Sequence, residues 1–326
     1  MFTASRPLQS AADAAQRCPS PICGFGTRAR VDCILGNIRI QEFFFAIEVL
    51  QGKVMTFVNQ IAEIVHGVVT EFHGAANKNN GDTYLVVWTI LPDSADEVKQ
   101  RMADMSVVAL ARILAAVHRS PLLATYREHP GLLQRMGTSC RVNVTSGLHF
   151  GWAIEGAVGS EFKIDASYLS PNVSIAESIE RATKIYDVSI LLSESVMRMC
   201  SPGIAATLRL IDRVVIAGSR DPFNLYVIDF DVRSLTVEPP TKQWLWNSRT
   251  RFRVRQHLEM EKNLKFREEF DLLEVLLRDP DIATMRFRYT LEFTQIFNMG
   301  YQNYSQGEWA TAQRFLRRTH EMLGVK

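Results

Sequence analysis

Two strand-like runs within residues 75–88 flank the turn sequence Asn79-Asn80-Gly81-Asp82. Asn-Gly between such runs is the strongest short signal for a hairpin of antiparallel strands. The rest of residues 28–232 alternates strand-like and helix-like segments, and that alternation alone favours a parallel sheet. A hairpin inside the alternation instead predicts an α+β sandwich with a mixed sheet.

Periodic apolar residues predict the helices around this hairpin. Residues 49–72 and 94–118 show the spacing of helices with one buried face, and Ser94 is the expected cap of the second. Ser170-Pro171 predicts the start of a further helix, with serine as cap and proline in the first turn. Between residues 121 and 137 we expect a long loop. Further strands are predicted at residues 30–38, 141–149, 164–169, 188–192, 213–216 and 225–230.

Composition divides the chain into four regions. Residues 1–27 are polar with scattered Pro and Gly, and we expect a disordered leader there rather than a signal or transit peptide. Residues 28–232 form the predicted α+β domain, residues 233–245 a linker, and residues 246–326 an all-α tail. Within the tail, residues 300–316 resemble one tetratricopeptide-like helix pair. Because one such pair cannot bury its apolar face alone, we expect it to dock on the first domain or on a partner.

The charge of the chain argues against several classes of partner. Its 326 residues carry a net charge of +2, which does not imply a polyanionic partner. Alternating arginines at residues 249–255 are followed by glutamates, so we expect a solvated helix face and no nucleic-acid site. No window holds the roughly 18 consecutive apolar residues that a membrane span needs, and no membrane span is predicted.

The cysteines and histidines give no sign of a disulfide framework or a metal site. The five cysteines are odd in number and form no C-x-x-C pair, which is typical of reduced thiols in the cytosol. We therefore expect a cytoplasmic protein, and association with a membrane or cilium through a partner stays open. His66, His73, His118 and His149 share no metal-ligand spacing, so we interpret them as surface or core residues.

Two segments resemble the catalytic domain of the class III nucleotidyl cyclases, the adenylate and guanylate cyclase fold. They are residues 73–88, HGAANKNNGDTYLVVW, and residues 145–196, which include GLHFGWAIEGAVGS and KIDASYLSPN. The resemblance covers about two thirds of the chain and looks strongest with cyclase domains of large protist signalling proteins. It implies a ferredoxin-like α+β sandwich with a mixed sheet, and head-to-tail dimers with the active sites at the interface.

The resemblance also implies a site for two metal ions. In this family two carboxylates hold Mg²⁺ or Mn²⁺, which polarise the triphosphate and activate the ribose 3′-hydroxyl. The second carboxylate falls on Asp82. The first falls on Arg39, or on Asn37 after a two-residue shift, and neither is a good ligand for a hard cation. Arg39 could neutralise phosphate but could not activate the hydroxyl. If no nucleotide binds, we expect no cofactor.

The resemblance assigns base recognition to two further positions. Lys78 lies four residues before Asp82, as does the adenine-reading lysine of adenylate-type domains, and Ser167 takes the companion position. Serine keeps a hydroxyl where many members have Asp or Thr. These two residues imply that ATP is a possible ligand.

The groups that stabilise the transition state are missing from their expected positions. The family's Asn and Arg fall on Ser174 and Ser178, which share one helix face, and its phosphate-binding Lys falls on Ala217. Two short hydroxyls can neither reach as far as an amide and a guanidinium nor carry charge. Four of six roles are therefore lost, counting Arg39, and whether the chain is an enzyme stays uncertain.

We therefore expect a cyclase-homology protein of cyclic-nucleotide signalling that is catalytically impaired and acts as a dimerising or regulatory partner. Its own partner would be a second copy or another cyclase domain, paired head to tail. Two alternatives stay open. One is an active adenylate cyclase, a phosphorus–oxygen lyase converting ATP to cyclic AMP alone or with a partner, and the other is a structural scaffold that reuses the fold.

Overall fold

The computed structural model describes residues 29–137, 141–160, 163–216, 221–239, 248–267 and 269–324. The predicted leader, residues 240–245 of the predicted linker and residues 246–247 of the predicted tail lie outside this part of the chain. The described helices are Phe43–Leu50 (α1), Val54–Glu71 (α2), Asp96–Arg119 (α3), Pro121–Ala124 (α4), Pro130–Met136 (α5), Pro171–Tyr186 (α6), Glu194–Met197 (α7), Pro202–Ala205 (α8), Ser248–Lys265 (α9), Leu272–Arg278 (α10), Pro280–Arg286 (α11), Leu291–Ser305 (α12) and Trp309–Met322 (α13).

A mixed sheet of eight strands forms the centre of the described structure. The strands are Ala29–Ile40 (β1), Ala75–Asn80 (β2), Thr83–Ile90 (β3), Val144–Ser160 (β4), Lys163–Leu169 (β5), Ile190–Ser193 (β6), Arg209–Val214 (β7) and Phe223–Val227 (β8). Their order is β2-β3-β1-β4-β6-β8-β7, and β5 pairs with the far end of β4. β4 and β6 run parallel, whereas the β2–β3 hairpin is antiparallel. The predicted α+β sandwich with a mixed sheet is confirmed.

Alternate residues of β1 face the two layers of the core. Ile34 and Ile38 pack in the large cluster that contains the apolar faces of α2 and α3. Cys33 and Leu35 point to the opposite face and pack with Ala176 of α6. The period of two along the strand thus fixes which helix covers which face.

The contact between α6 and β4 depends on a glycine. A Cβ atom at Gly147 would lie 2.5 Å from the backbone nitrogen of Glu180 and 2.8 Å from the carbonyl oxygen of Ala176. Both atoms belong to the backbone of α6, so a side chain at this position could not be accommodated by rotating a neighbour. The absence of a side chain at Gly147 lets the helix lie directly on the strand.

Several predicted boundaries were wrong. The pattern at residues 49–72 covers the end of α1, a 3-10 turn at Gln51–Lys53 and then α2, and Gln51 has a φ of 46° that ends α1. Ser94 is not a cap, because α3 begins at Asp96 after Ala95. The loop predicted at residues 121–137 contains α4 and α5. Ser170 caps α6 as predicted, accepting a hydrogen bond from the nitrogen of Asn172 at 3.1 Å.

The helical tail packs against the α+β domain. Asp279 and Asp281 form ion pairs with Arg112 and Arg119 of α3. Further along, α12 packs on the edge strand β7. There the guanidinium of Arg209 is held by Asp229 at 2.7 and 2.5 Å and lies 4.2 Å above the ring of Phe297. The tail thereby covers one edge of the sheet.

The helices give little indication of a membrane span. Among the described residues no single helix is long and apolar enough to cross a membrane. α3 reaches the required length and apolarity only together with residues 121–128, from which it is separated by a bend of 52°. Most of α3 is buried against the sheet and its neighbouring helices.

We expect acid to destabilise the protein through His118. Its ring is buried in α3, with Nε2 3.2 Å from Oδ1 of Asn143, and burial lowers the pKa of His118 to about 4. In the unfolded chain the imidazole of His118 takes up a proton near pH 6.5, whereas in the folded protein it does so only near pH 4. The free energy of unfolding is therefore highest above pH 6.5 and falls as the pH is lowered towards 4. The expected loss from this group is about 2 kcal/mol at pH 5 relative to pH 7.5.

Urea denaturation of the wild type and of His118→Gln at pH 7.5 and 5 would measure this loss, since glutamine does not titrate. The pH dependence should be about 2 kcal/mol weaker in the variant. His257→Gln, a change at an exposed histidine of α9, is the control and should leave the pH dependence unchanged. Equal pH dependence in wild type and His118→Gln would contradict the prediction.

Candidate functional site

The candidate site lies where β1, the β2–β3 hairpin and α6 meet. Arg39, near the end of β1, is opposite Thr83 of β3 on one side and Thr145 of β4 on the other. The backbone carbonyl of Asp82, in the turn of the hairpin, accepts a 2.8 Å hydrogen bond from the nitrogen of Ile40. The hairpin tip is therefore fixed against the end of β1.

The guanidinium of Arg39 joins three carboxylates, and we call these four residues the Arg39 cluster. Nη1 lies 2.8 Å from Oδ2 of Asp82, and Nε lies 2.7 Å from Oε2 of Glu180. Nη2 lies 3.6 Å from Oε1 of Glu177. Burial alone would lower the pKa of Arg39, but Glu180 and then Asp82 outweigh burial and raise it. The cluster is a bridge between the hairpin tip and α6.

Glu180 is the buried member of the cluster. Its side chain is 1% exposed, and Oε1 accepts a 2.7 Å hydrogen bond from Oγ1 of Thr145. Thr145 in turn accepts a hydrogen bond from Nε2 of Gln41. An ionised carboxylate this deeply buried is stable only when it is paired and hydrogen-bonded, and Arg39 supplies its charge partner.

Lys78 lies on β2 and Ser167 on β5. These two strands contact each other although they are not paired in the sheet. Lys78 is exposed on β2, next to the irregularity at Asn77, and Ser167 is half-buried on β5 opposite Gly156. Nδ2 of Asn77 donates a 3.2 Å hydrogen bond to the carbonyl of Ala166. This bond joins the residues directly beside Lys78 and Ser167, so the two predicted base-reading positions belong to adjoining strands.

The two serines of α6 are one turn apart, as the sequence predicts. Ser174 is exposed, and Oγ of Ser178 donates a 2.9 Å hydrogen bond to the carbonyl of Ser174. Asn172, at the start of the same helix, instead bonds to β4, donating to the carbonyl of Trp152 at 2.8 Å. Ala217 lies outside the described residues.

Comparison with known proteins finds sequence similarity to adenylate cyclases and a structure with the same fold. No protein-family model matches the chain. It is 36% identical over 89 residues to an adenylate cyclase of Anabaena cylindrica, a match that covers 27% of this chain and 18% of that protein. It is 26% identical over 193 residues to the terminal-differentiation-specific adenylate cyclase of Dictyostelium discoideum, covering 58% of this chain and 8% of that protein.

Among solved structures, a bacterial light-regulated adenylyl cyclase matches with a TM-score of 0.50 and 19% identity, over 62% of this chain and 53% of that one. The chain contains a cyclase-homology domain with the class III nucleotidyl cyclase fold. Its match spans less than a fifth of either curated adenylate cyclase, so the relationship extends to the cyclase-homology domain and not to the whole of those proteins.

Within this cyclase-homology domain, Arg39 and not Asn37 lies beside Asp82. Asn37 is buried two residues earlier on β1, opposite Leu85 and Gly147. The position that the resemblance assigns to the first metal carboxylate therefore carries a guanidinium. Both oxygens of Asp82 already have partners, since Oδ1 accepts a 2.9 Å bond from Oγ1 of Thr83 and Oδ2 pairs with Arg39.

These residues do not fit a pair of divalent cations. A cation at Asp82 would lie close to the positive guanidinium of Arg39 and would have to displace it. Across the described ranges, no group of three or more His, Cys, Asp or Glu side chains is arranged to hold a metal ion. The geometry of the Arg39 cluster is that of a closed ion-pair network.

Sequence reasoning missed Glu180 and Thr145. One signal was available for Glu180, which falls on the buried face of α6 with Ile175, Ala176 and Ile179. A charged residue on the apolar face of a helix is almost never fully buried without a partner. That signal predicts a buried cation nearby, but it does not identify Arg39, which lies 141 residues earlier.

Proposed function

We propose that this chain is a non-catalytic cyclase-homology domain that acts by pairing with a second cyclase domain in cyclic-nucleotide signalling. The observation that carries the proposal is the Arg39 guanidinium, which bridges Asp82 and Glu180 at the expected metal position. A side chain that neutralises these carboxylates in the folded protein removes the need for cations there and the means of activating a ribose hydroxyl.

The electrostatics of the cluster also disfavour direct phosphate binding by Arg39. One guanidinium faces the three carboxylates of Asp82, Glu177 and Glu180. Its charge is already compensated, so a triphosphate would meet net negative charge at this point. This argues against the possibility that Arg39 takes over the role of a metal ion.

The positions on α6 that would stabilise a transition state in a cyclase site also carry no charge. Ser174 and Ser178 offer hydroxyls where an amide and a guanidinium are expected, and the hydroxyl of Ser178 donates to its own helix. Loss of one charge-stabilising donor typically costs about 10²–10³ in rate. A partner subunit would therefore gain little catalysis from α6 of this chain.

The arm formed by β4 and β5 provides a surface for pairing. Ile154 and Leu169 are directly opposite each other on one face of this arm, and Val158 lies on the same face. All three side chains are exposed, and Ser167 shares their face because it is two residues from Leu169. An apolar face beside a predicted base-reading residue supports a head-to-tail interface at this arm.

The proposal predicts association without catalysis. Purified chain incubated with ATP or GTP and Mg²⁺ or Mn²⁺ should form no cyclic AMP or cyclic GMP above the blank, because the first carboxylate and the Asn–Arg pair are missing. Sedimentation equilibrium should give a dimer, either of the chain alone or with an added class III catalytic domain. Val158→Lys should weaken that dimer.

The matched control is Ile185→Lys, which places the same charge at another exposed apolar residue, on α6. It should leave association unchanged. Cyclic AMP formation by the chain alone would establish the alternative, an active adenylate cyclase. A monomer in both mixtures would contradict the pairing function.

A further inference from the structure

We propose that the outward face of the α12–α13 helix pair binds an acidic amphipathic helix of a partner protein. This face, here called the tail groove, is a shallow, open depression of about 430 Å³, lined by Tyr304, Trp309, Ala312, Gln313, Leu316, Arg317 and His320. The inference is independent of the Arg39 cluster and of any pairing through the β4–β5 arm.

The inner side of the helix pair is already used. Phe293 of α12 is buried, and Phe297 stacks on Arg209 of β7. Between the two helices, a Cβ at Gly300 would lie 3.0 Å from Cδ2 of Leu316, so the helices cross closely at this glycine. The pair is therefore a rigid platform fixed to the sheet edge, and its far side faces solvent.

The far side carries two large aromatic residues that are exposed to solvent. The side chains of Trp309 and Tyr304 are 64% and 53% exposed. Their rings meet edge to face with centroids 5.2 Å apart, so each holds the other in place. Exposed Trp and Tyr beside Arg are the residues that most often anchor protein–protein contacts, and two held in one orientation lose little entropy on binding.

The charge around the groove selects the partner. Arg317 lines the tail groove and also a second depression, whose lining includes Arg314, Arg318 and a single carboxylate, Glu321. Arg318 is paired with Glu292 at 3.0 Å. An apolar floor with Arg317 at its edge and Arg314 in the adjoining depression fits a helix that has an apolar stripe flanked by Glu or Asp.

The same charge argues against two other occupants. A second copy of this face would bring arginine against arginine, which costs binding energy. The chain's own residues 1–28 contain Arg6, Arg17 and Arg28 but one acidic residue, Asp13, so they do not supply an acidic helix. The partner helix proposed for the groove is therefore supplied neither by a second copy of this face nor by residues 1–28.

A peptide selection tests the proposal without assuming a sequence. A phage-displayed library of random peptides of about 16 residues, enough for about four helical turns, would be selected on the full-length chain. Enriched peptides should combine apolar residues at i, i+3/i+4 and i+7 with Glu or Asp on both sides. Their binding, followed by fluorescence anisotropy of a labelled peptide, should weaken about tenfold or more in Trp309→Ser and in Arg317→Glu.

The control is Lys53→Glu, the same charge change at an exposed residue of the 3-10 turn before α2, which should not change the anisotropy. Circular dichroism would verify that each variant keeps its helices. Enrichment of basic or charge-free peptides, or binding that persists in Trp309→Ser, would overturn the proposal. A single-stranded oligonucleotide would be tested as a competitor of the labelled peptide. If it displaced the labelled peptide at a lower concentration than the unlabelled peptide does, the proposal would be overturned in favour of a nucleic-acid site.

Discussion

Arg39→Met should destabilise the folded chain by about 3–5 kcal/mol, the range for removing one partner of a buried ion pair. The substitution keeps most of the volume of the side chain but leaves Glu180, 1% exposed, without a cation. Neutralising the stranded carboxylate by proton uptake, or exposing it to water, lowers the free energy of unfolding in either case. Urea denaturation at neutral pH would measure the change.

A second substitution separates the cost of a stranded charge from loss of packing. In Arg39→Met/Glu180→Gln no buried charge is left, and Thr145 can still donate to the glutamine carbonyl, so most of the lost stability should return. Arg181→Met is the control, because Arg181 pairs with the partly exposed Glu177 at the surface, and exposed pairs contribute about 0–1 kcal/mol. A loss below about 1 kcal/mol in Arg39→Met would show that the cluster is not buried in solution.

Gly147→Ala should cost about 3 kcal/mol or more, at or above the upper end of the usual range for overpacking. The added methyl group would meet the backbone of α6 at Glu180 and Ala176, and backbone cannot rotate away as a side chain can. The helix would have to move off β4, which would also shift Glu180 away from Arg39. Thermal and urea denaturation would measure the loss.

At Gly67 the same glycine-to-alanine substitution should stabilise the protein. Gly67 lies within α2, and a Cβ there would have no neighbour within 4 Å. Alanine is favoured over glycine inside a helix by about 0.5–1 kcal/mol, so this variant should gain stability. If both alanine variants changed stability by the same amount, the close approach of α6 to β4 would not be the cause.

Local chemistry accounts for the parts of the fold that sequence predicted well. The Asn80-Gly81 turn and the Ser170-Pro171 helix start depend on a few neighbouring residues, and both form as expected. The split between α1 and α2 could not be predicted, since Gln51 adopts a positive φ without being glycine. β4 extends to Ser160, beyond the predicted strand, because it pairs with β1 along one part and with β5 further on.

The candidate site, like the fold, could be predicted from the sequence only in part. The family resemblance brought Arg39 and Asp82 together, and their side chains do touch. It could not show that Arg39 also binds Glu180, because that contact depends on how closely α6 approaches the sheet at Gly147. The state of charge of the site is therefore a tertiary property, set by residues from four separate elements.

The position of α12 on β7 has a consequence for how copies of this chain can assemble. A sheet polymerises by adding strands at both of its edges, and covering an edge with a helix is one way in which proteins prevent this. Here one end of the strand order is closed by the tail, and the other end is β2, a short strand whose residues are mostly polar. Among the described strands of this order, β2 is therefore the end at which a strand of another copy can be added, while α12 hinders addition at β7.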